Sequence, residues 1–110
     1  MNGIYYINEN IALDGKPKEK SIQIQKNTVL QYLEEKQIEI VKLNPIQLYE
    51  YYTIPHALLY DLKKYGTLID CLFLYSSETM EPFINIYPAR WLLIKSFFNQ
   101  VVTIKNKDLL

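Results

Sequence analysis

The sequence predicts an α/β fold: a three-layer sandwich in which a four-stranded, mostly parallel sheet carries helices on both faces. Three observations predict it. Strand-like and helix-like segments alternate in the order β-α-β-α-β-α-β, which is the signature of a parallel sheet wrapped by helices. Leu68 to Tyr75 is a nearly continuous apolar run, as expected of a strand buried on both faces. The segments between strands are long enough for right-handed helical crossovers. The 110 residues are read as one domain, spanning residues 1–110.

Each element has its own warrant. Ile4-Tyr5-Tyr6-Ile7 is a β-rich run and forms the first strand. Asn8 to Lys20 holds Gly15, Pro17 and several charges, and reads as a loop. Ser21 suits an N-cap, and the residues from there to Lys36 suit a helix. Ile22, Val29 and Leu33 lie near one of its faces, with Leu30 beside them. Gln37 to Leu43 alternates apolar and polar side chains, which fits a second strand. Asn44-Pro45 ends it, and Ile46 to Tyr52 fits either a helical turn or a loop. In the second helix Thr53 can cap, Pro55 sits in the first turn, and Leu58, Leu59 and Leu62 repeat at helical spacing. Lys63 and Lys64 suit its C-terminus and Gly66 ends it. The central strand, Leu68 to Tyr75, is followed by a loop from Ser76 to Tyr87. Pro88 opens a third helix through Trp91, Leu92, Ile94, Lys95 and Phe98. Val101 to Ile104 is the last strand, and the tail from residue 106 to 110 is expected to fray.

Composition narrows the chemistry. Hydrophobic residues make up 49% and charged residues 22%, enough apolar surface for a core. The formal net charge is zero, which weighs against a general nucleic-acid binder. A single cysteine, Cys71, cannot form an internal disulfide. With a single histidine, His56, it cannot build a structural zinc site either. Gly3, Gly15 and Gly66 are the only glycines and match no phosphate-binding loop. No metal and no cofactor are therefore expected. Arg90 is the only arginine among twelve basic residues, so chemistry that needs several guanidinium forks on phosphate lies beyond this chain alone. The N-terminal stretch MNGIYYINEN is not a signal peptide, and the longest apolar run, Cys71 to Tyr75, is too short to cross a bilayer. The expectation is a cytoplasmic protein with no membrane contact.

Candidate functional residues follow from the topology. Ligands of open α/β sheets bind beyond the C-terminal ends of the strands. That places Asn8, Glu9 and Asn10, after the first strand, near Ser76, Ser77 and Glu78, after the central one. Cys71 lies inside the central strand and is read as a buried, inert thiol. His56 sits in the first turn of the second helix, where the helix dipole disfavours a cation, so it is read as neutral and exposed. It has no identifiable serine or cysteine partner for catalysis. Lys16, Lys18 and Lys20 read as a solvated basic loop. The ten tyrosines are many for this length. Tyr49, Tyr51, Tyr52 and Tyr60, with Tyr65, either line a protein interface or cover the sheet edge within the monomer.

Two stretches also resemble a known family. Ser21-Ile22-Gln23-Ile24-Gln25 before a helix, then Glu35 to Val41, looks like the first helix and second strand of serine recombinase (resolvase/invertase) catalytic domains. Leu58 to Lys64, then Ile69 to Tyr75, is similar to the next helix and the central strand. The likeness covers roughly residues 4 to 104 and implies a resolvase-like fold. In the family a Tyr-x-Arg-Val-Ser string carries the nucleophile after the first strand. Here the matching stretch is Tyr6-Ile7-Asn8-Glu9-Asn10, with Asn8 at the arginine and Asn10 at the serine. The family's following glutamine corresponds to Gln25. Ser76 and Glu78 are near matches after the central strand, but Thr79 and Pro82 replace both arginines. Transesterification needs an activated nucleophile and cations on the phosphate, and the matched positions supply neither. The resemblance therefore implies a non-catalytic domain with a vestigial pocket at Asn8, Asn10, Gln25, Ser76 and Glu78. It would act by binding protein, either a second copy or a regulatory partner. A rival reading is a DNA-associated regulator, or a modulator of an intact recombinase. A third is an enzyme of another class, using the crevice near Asn10 and Glu78.

Overall fold

The computed structural model of the protein describes residues 1–105; the tail expected to fray lies outside them. Its strands are β1 (Asn2–Tyr6), β2 (Glu39–Ile40), β3 (Ile69–Leu74) and β4 (Phe98–Thr103). Its helices are α1 (Lys18–Glu35), α2 (Pro55–Tyr65), α3 (Glu81–Ile86) and α4 (Pro88–Lys95). The strands form one sheet in the order β2-β1-β3-β4. Every pair is parallel, with Tyr5 opposite Phe73 and Phe73 opposite Val102.

Alternation along the central strands divides the core between two faces. Ile4 and Tyr6 of β1 and Leu72 and Leu74 of β3 point to one side. There they meet Leu58 and Leu62 of α2, Phe83 of α3, and Trp91 and Ile94 of α4. Tyr5, Cys71 and Phe73 point to the other side, against Val29 and Leu33 of α1. Helices thus cover both faces, as the nearly continuous apolar run of β3 requires. The Cα radius of gyration, 13.3 Å, is that of a compact chain of this length. Gly3 lies where β1 passes Phe73, and a β-carbon there would run into that ring.

Several boundaries differ from the sequence expectation. α1 begins at Lys18 behind Pro17, so Ser21 is no cap. It is fully buried and heads a stripe of Ser21, Gln25, Val29 and Leu33 facing the sheet. Hydrophobicity alone hides that stripe, because two of its four members are polar. Gln37 belongs to no strand. Its φ of 54° is left-handed, and it closes α1 in a Schellman motif, with Ile38 N–H donating to Leu33 O and Gln37 N–H to Glu34 O. Only Glu39 and Ile40 then pair with β1. The segment from Ser76 to Tyr87 is not a plain loop. It forms a 3-10 turn, Ser77–Thr79, and α3, with Pro82 in the first turn of that helix. β4 starts at Phe98, earlier than Val101. Thr53 makes no cap bond; Ile54 occupies the cap position of α2.

Candidate functional site

The connection leaving β1 runs to β2 at one edge, and the connection leaving β3 runs to β4 at the other. The crevice between the C-terminal ends of β1 and β3 is therefore the switch point of the sheet, where open α/β folds hold ligands. Three of the expected residues meet here. Gln25, fully buried on α1, accepts from Asn8 N–H at 2.9 Å and donates to Asn8 O at 2.8 Å. It also donates to Ser21 Oγ at 3.3 Å. Asn8 Nδ2 donates to Thr79 O at 2.9 Å, and Asn8 Oδ1 accepts from Asn10 N–H at 2.8 Å. Thr79 Oγ1 in turn donates to Ser76 O at 2.7 Å.

This network ties α1, the end of β1 and the turn after β3 together. It also engages both amide groups internally, leaving Asn8 and Gln25 occupied by the chain itself. Glu78, half-buried in the 3-10 turn, takes no part in these bonds. Ser76 Oγ is buried with no hydrogen-bond partner, so a nucleophilic role would lack a base. Ser21 and Thr79 were not among the expected site residues. The spacing of Ser21 to Gln25, one helical turn, is the signal for Ser21; nothing local marks Thr79.

Beside the network lies a cleft of about 530 Å³, within the range of ligand pockets. Tyr6, Ile11, Ala12, Ile54, Phe83 and Ile86 give it apolar walls, while Asn8, Asn10, Thr53 and Thr79 add neutral polar groups. No residue lining it carries a charge. Tyr6, Ile11 and Ala12 lie at and after the end of β1, while Phe83 and Ile86 come from α3 and Ile54 from the cap of α2, which strand ends alone do not indicate. Phe83 and Ile86 stand three residues apart behind Pro82, and that helical spacing was the available clue.

Comparison with models of known protein families, with curated proteins and with solved structures gives no match to this chain. Its own residues must carry the reading.

The tyrosines divide. Tyr49 and Tyr60 are exposed. Tyr49 stacks on Tyr51 with ring centroids 5.1 Å apart. Tyr52 does not belong to a surface. It is buried, its hydroxyl donates to Asp61 Oδ2 at 2.6 Å, and its backbone bridges to β1 through Tyr5 O and Ile7 N–H. Covering the end of β1 removes it from the interface set. Burial raises the hydroxyl pKa of Tyr52 far above the ordinary tyrosine range, and the bond to Asp61 adds to this.

Elsewhere, Cys71 is buried between Met1 and Gln100. His56 is exposed and bonds Arg90, its Nε2 lying 2.9 Å from Nη1. A guanidinium only donates, so Nε2 is the acceptor in this contact. The chain's sole histidine and sole arginine thus engage each other, and the Arg90 guanidinium lies over the Tyr87 ring. Among the described residues, no group of three or more His, Cys, Asp or Glu side chains is placed to hold a metal ion. None of their helices is long and apolar enough to cross a membrane.

Proposed function

We propose that this chain is a non-catalytic, resolvase-like domain of the cytoplasm that works by binding protein. The charge-free cleft at the switch point carries this reading. A site that acts on phosphate needs cations and an activated nucleophile. This crevice has apolar walls and amides already engaged in internal bonds. Apolar walls framed by neutral polar groups suit the apolar side chains of a protein partner. Exposed apolar residues continue outward from the cleft at Ile54 and Ile86. The likeness to serine recombinases rests on element order and on the local strings quoted above. Asn8 and Asn10, beyond β1, stand where it would need its chemistry.

The test is photo-crosslinking from the cleft rim. A photoreactive amino acid at position 86 should give a discrete protein adduct in cells, lost on Ile54→Glu. Adducts to nucleic acid alone, or no adduct, would overturn the reading. The purified chain incubated with supercoiled DNA should form no covalent protein–DNA species; any such species would restore the enzymatic alternative.

A further inference from the structure

We propose that the hollow between α2 and the loop preceding it binds a lysine side chain of the protein partner, with Asp61 as its counter-ion. This rests on the protein-binding reading above and names what the partner carries. Asp61, Gln47, Tyr49 and Tyr52 line the hollow, which shares Thr53 and Ile54 with the cleft. Its volume is about 190 Å³. Small-molecule pockets run from roughly 300 to 1,000 Å³, so this one suits the end of a single side chain. An apolar residue of the same partner segment would then fall to the cleft alongside.

The chemistry of the lining selects the occupant. Asp61 is only 7% exposed. Its Oδ2 accepts from the Tyr52 hydroxyl at 2.6 Å. Among the described residues, its Oδ1 accepts no hydrogen bond and no lysine or arginine pairs with it. A carboxylate withdrawn from water is best held when a cation meets it. Gln47 Oε1 brings a second acceptor, 3.3 Å from the Tyr52 hydroxyl and 3.3 Å from Asn44 N–H. An ammonium offers three donors and no acceptor, which complements such a lining. Tyrosine faces add to the attraction. The stack of Tyr49 on Tyr51 already draws one ammonium, Lys26 Nζ lying 5.3 Å from the Tyr51 centroid. Tyr49 itself is exposed, and among the described residues no cation lies over it. Lys64, one turn beyond Asp61 in α2, lies over Tyr60 and Tyr65 instead.

NMR titration of the full chain with Nα-acetyl-lysine amide tests this. Saturable shifts are expected at the backbone amides of Tyr52, Thr53 and Ala57. Nα-acetyl-norleucine amide, which lacks the ammonium, should produce none. Asp61→Asn keeps an acceptor for the Tyr52 hydroxyl and should weaken lysine binding at least about tenfold. Tyr49→Ala, at an exposed position, should weaken it about threefold. No shifts, shifts that norleucine reproduces, or an affinity indifferent to Asp61→Asn would overturn the proposal. If Asp61→Asn loses its native circular dichroism, Tyr49→Ala decides, and an unchanged affinity there overturns it. A chain that ignores lysine yet still forms the protein adduct from position 86 would overturn only the cation site. A chain that binds lysine but forms no protein adduct would overturn the protein partner as the source of the lysine.

Discussion

The Tyr52 hydroxyl closes on the Asp61 carboxylate inside the core, and this pair sets an expectation at the level of single residues. Tyr52→Phe leaves the buried carboxylate without its hydroxyl donor, and should lower stability by about 1–3 kcal/mol in chemical denaturation. Three tyrosines also couple stability to pH. Burial, with the Glu9 carboxylate second, pushes the Tyr6 hydroxyl up to about 12. Burial likewise raises Tyr5, assisted by Glu50, and Tyr52, assisted by Asp61. An unfolded tyrosine ionises near 10. Above that pH the unfolded chain releases protons that the folded chain retains, so stability falls as pH rises from about 10 through about 12. Denaturation midpoints measured across that window should decline, and Tyr6→Phe should flatten the decline. Nothing in the sequence separates Tyr52 from Tyr49 or Tyr51, which are adjacent and chemically alike. The bridge to β1 buries Tyr52, while Tyr51 is half-buried against Tyr5 and Tyr49 stays exposed.

At the scale of elements, α1 is fixed by its polar residues as much as by its apolar ones. Gln25 satisfies both backbone groups of Asn8. Gln25→Ala removes two buried hydrogen bonds and leaves a void, and should lower stability by roughly 2–4 kcal/mol. Gln25→Glu should cost at least as much, since a buried carboxylate would face the Asn8 carbonyl. The other end of α1 offers the opposite sign. Gln37 holds a left-handed φ that glycine adopts freely, so Gln37→Gly should raise stability by about 0.5–1 kcal/mol. Thermal or denaturant melts of the three variants check all of this. The element pattern was legible where apolar residues repeat: α2 from its leucines, β3 from its nearly continuous apolar run, α4 from Pro88 onward. It was not legible at the start of α1, where the buried stripe opens with Ser21 and Gln25. At α3, a six-residue helix, the clue was a single pair, Phe83 and Ile86, too little to define a period.

For the whole molecule, the two core layers share the strands β1 and β3, so they should melt together. Leu33→Ala on one face and Ile94→Ala on the other should each cost about 2–4 kcal/mol within a single transition. The double variant should be close to additive, because the sites lie on opposite sides of the sheet. Separate transitions in calorimetry would contradict this. The sequence by itself determined the class: alternating elements and a doubly buried strand leave a parallel sheet sandwiched by helices as the consistent packing. It also placed Asn8 and Asn10 near the switch point, because topology fixes which strand ends meet; Gln25, on α1, entered only through the resemblance. Tertiary structure alone decided what that meeting makes. Hydrogen-bond partners and cleft walls come from residues far apart in the chain. Thr79 engages Asn8, and Ile54, Phe83 and Ile86 stand around the same hollow. Local composition cannot report that the amides of Asn8 and Gln25 face inward while no charged residue lines the cleft, since that depends on where three separate segments pack against the sheet.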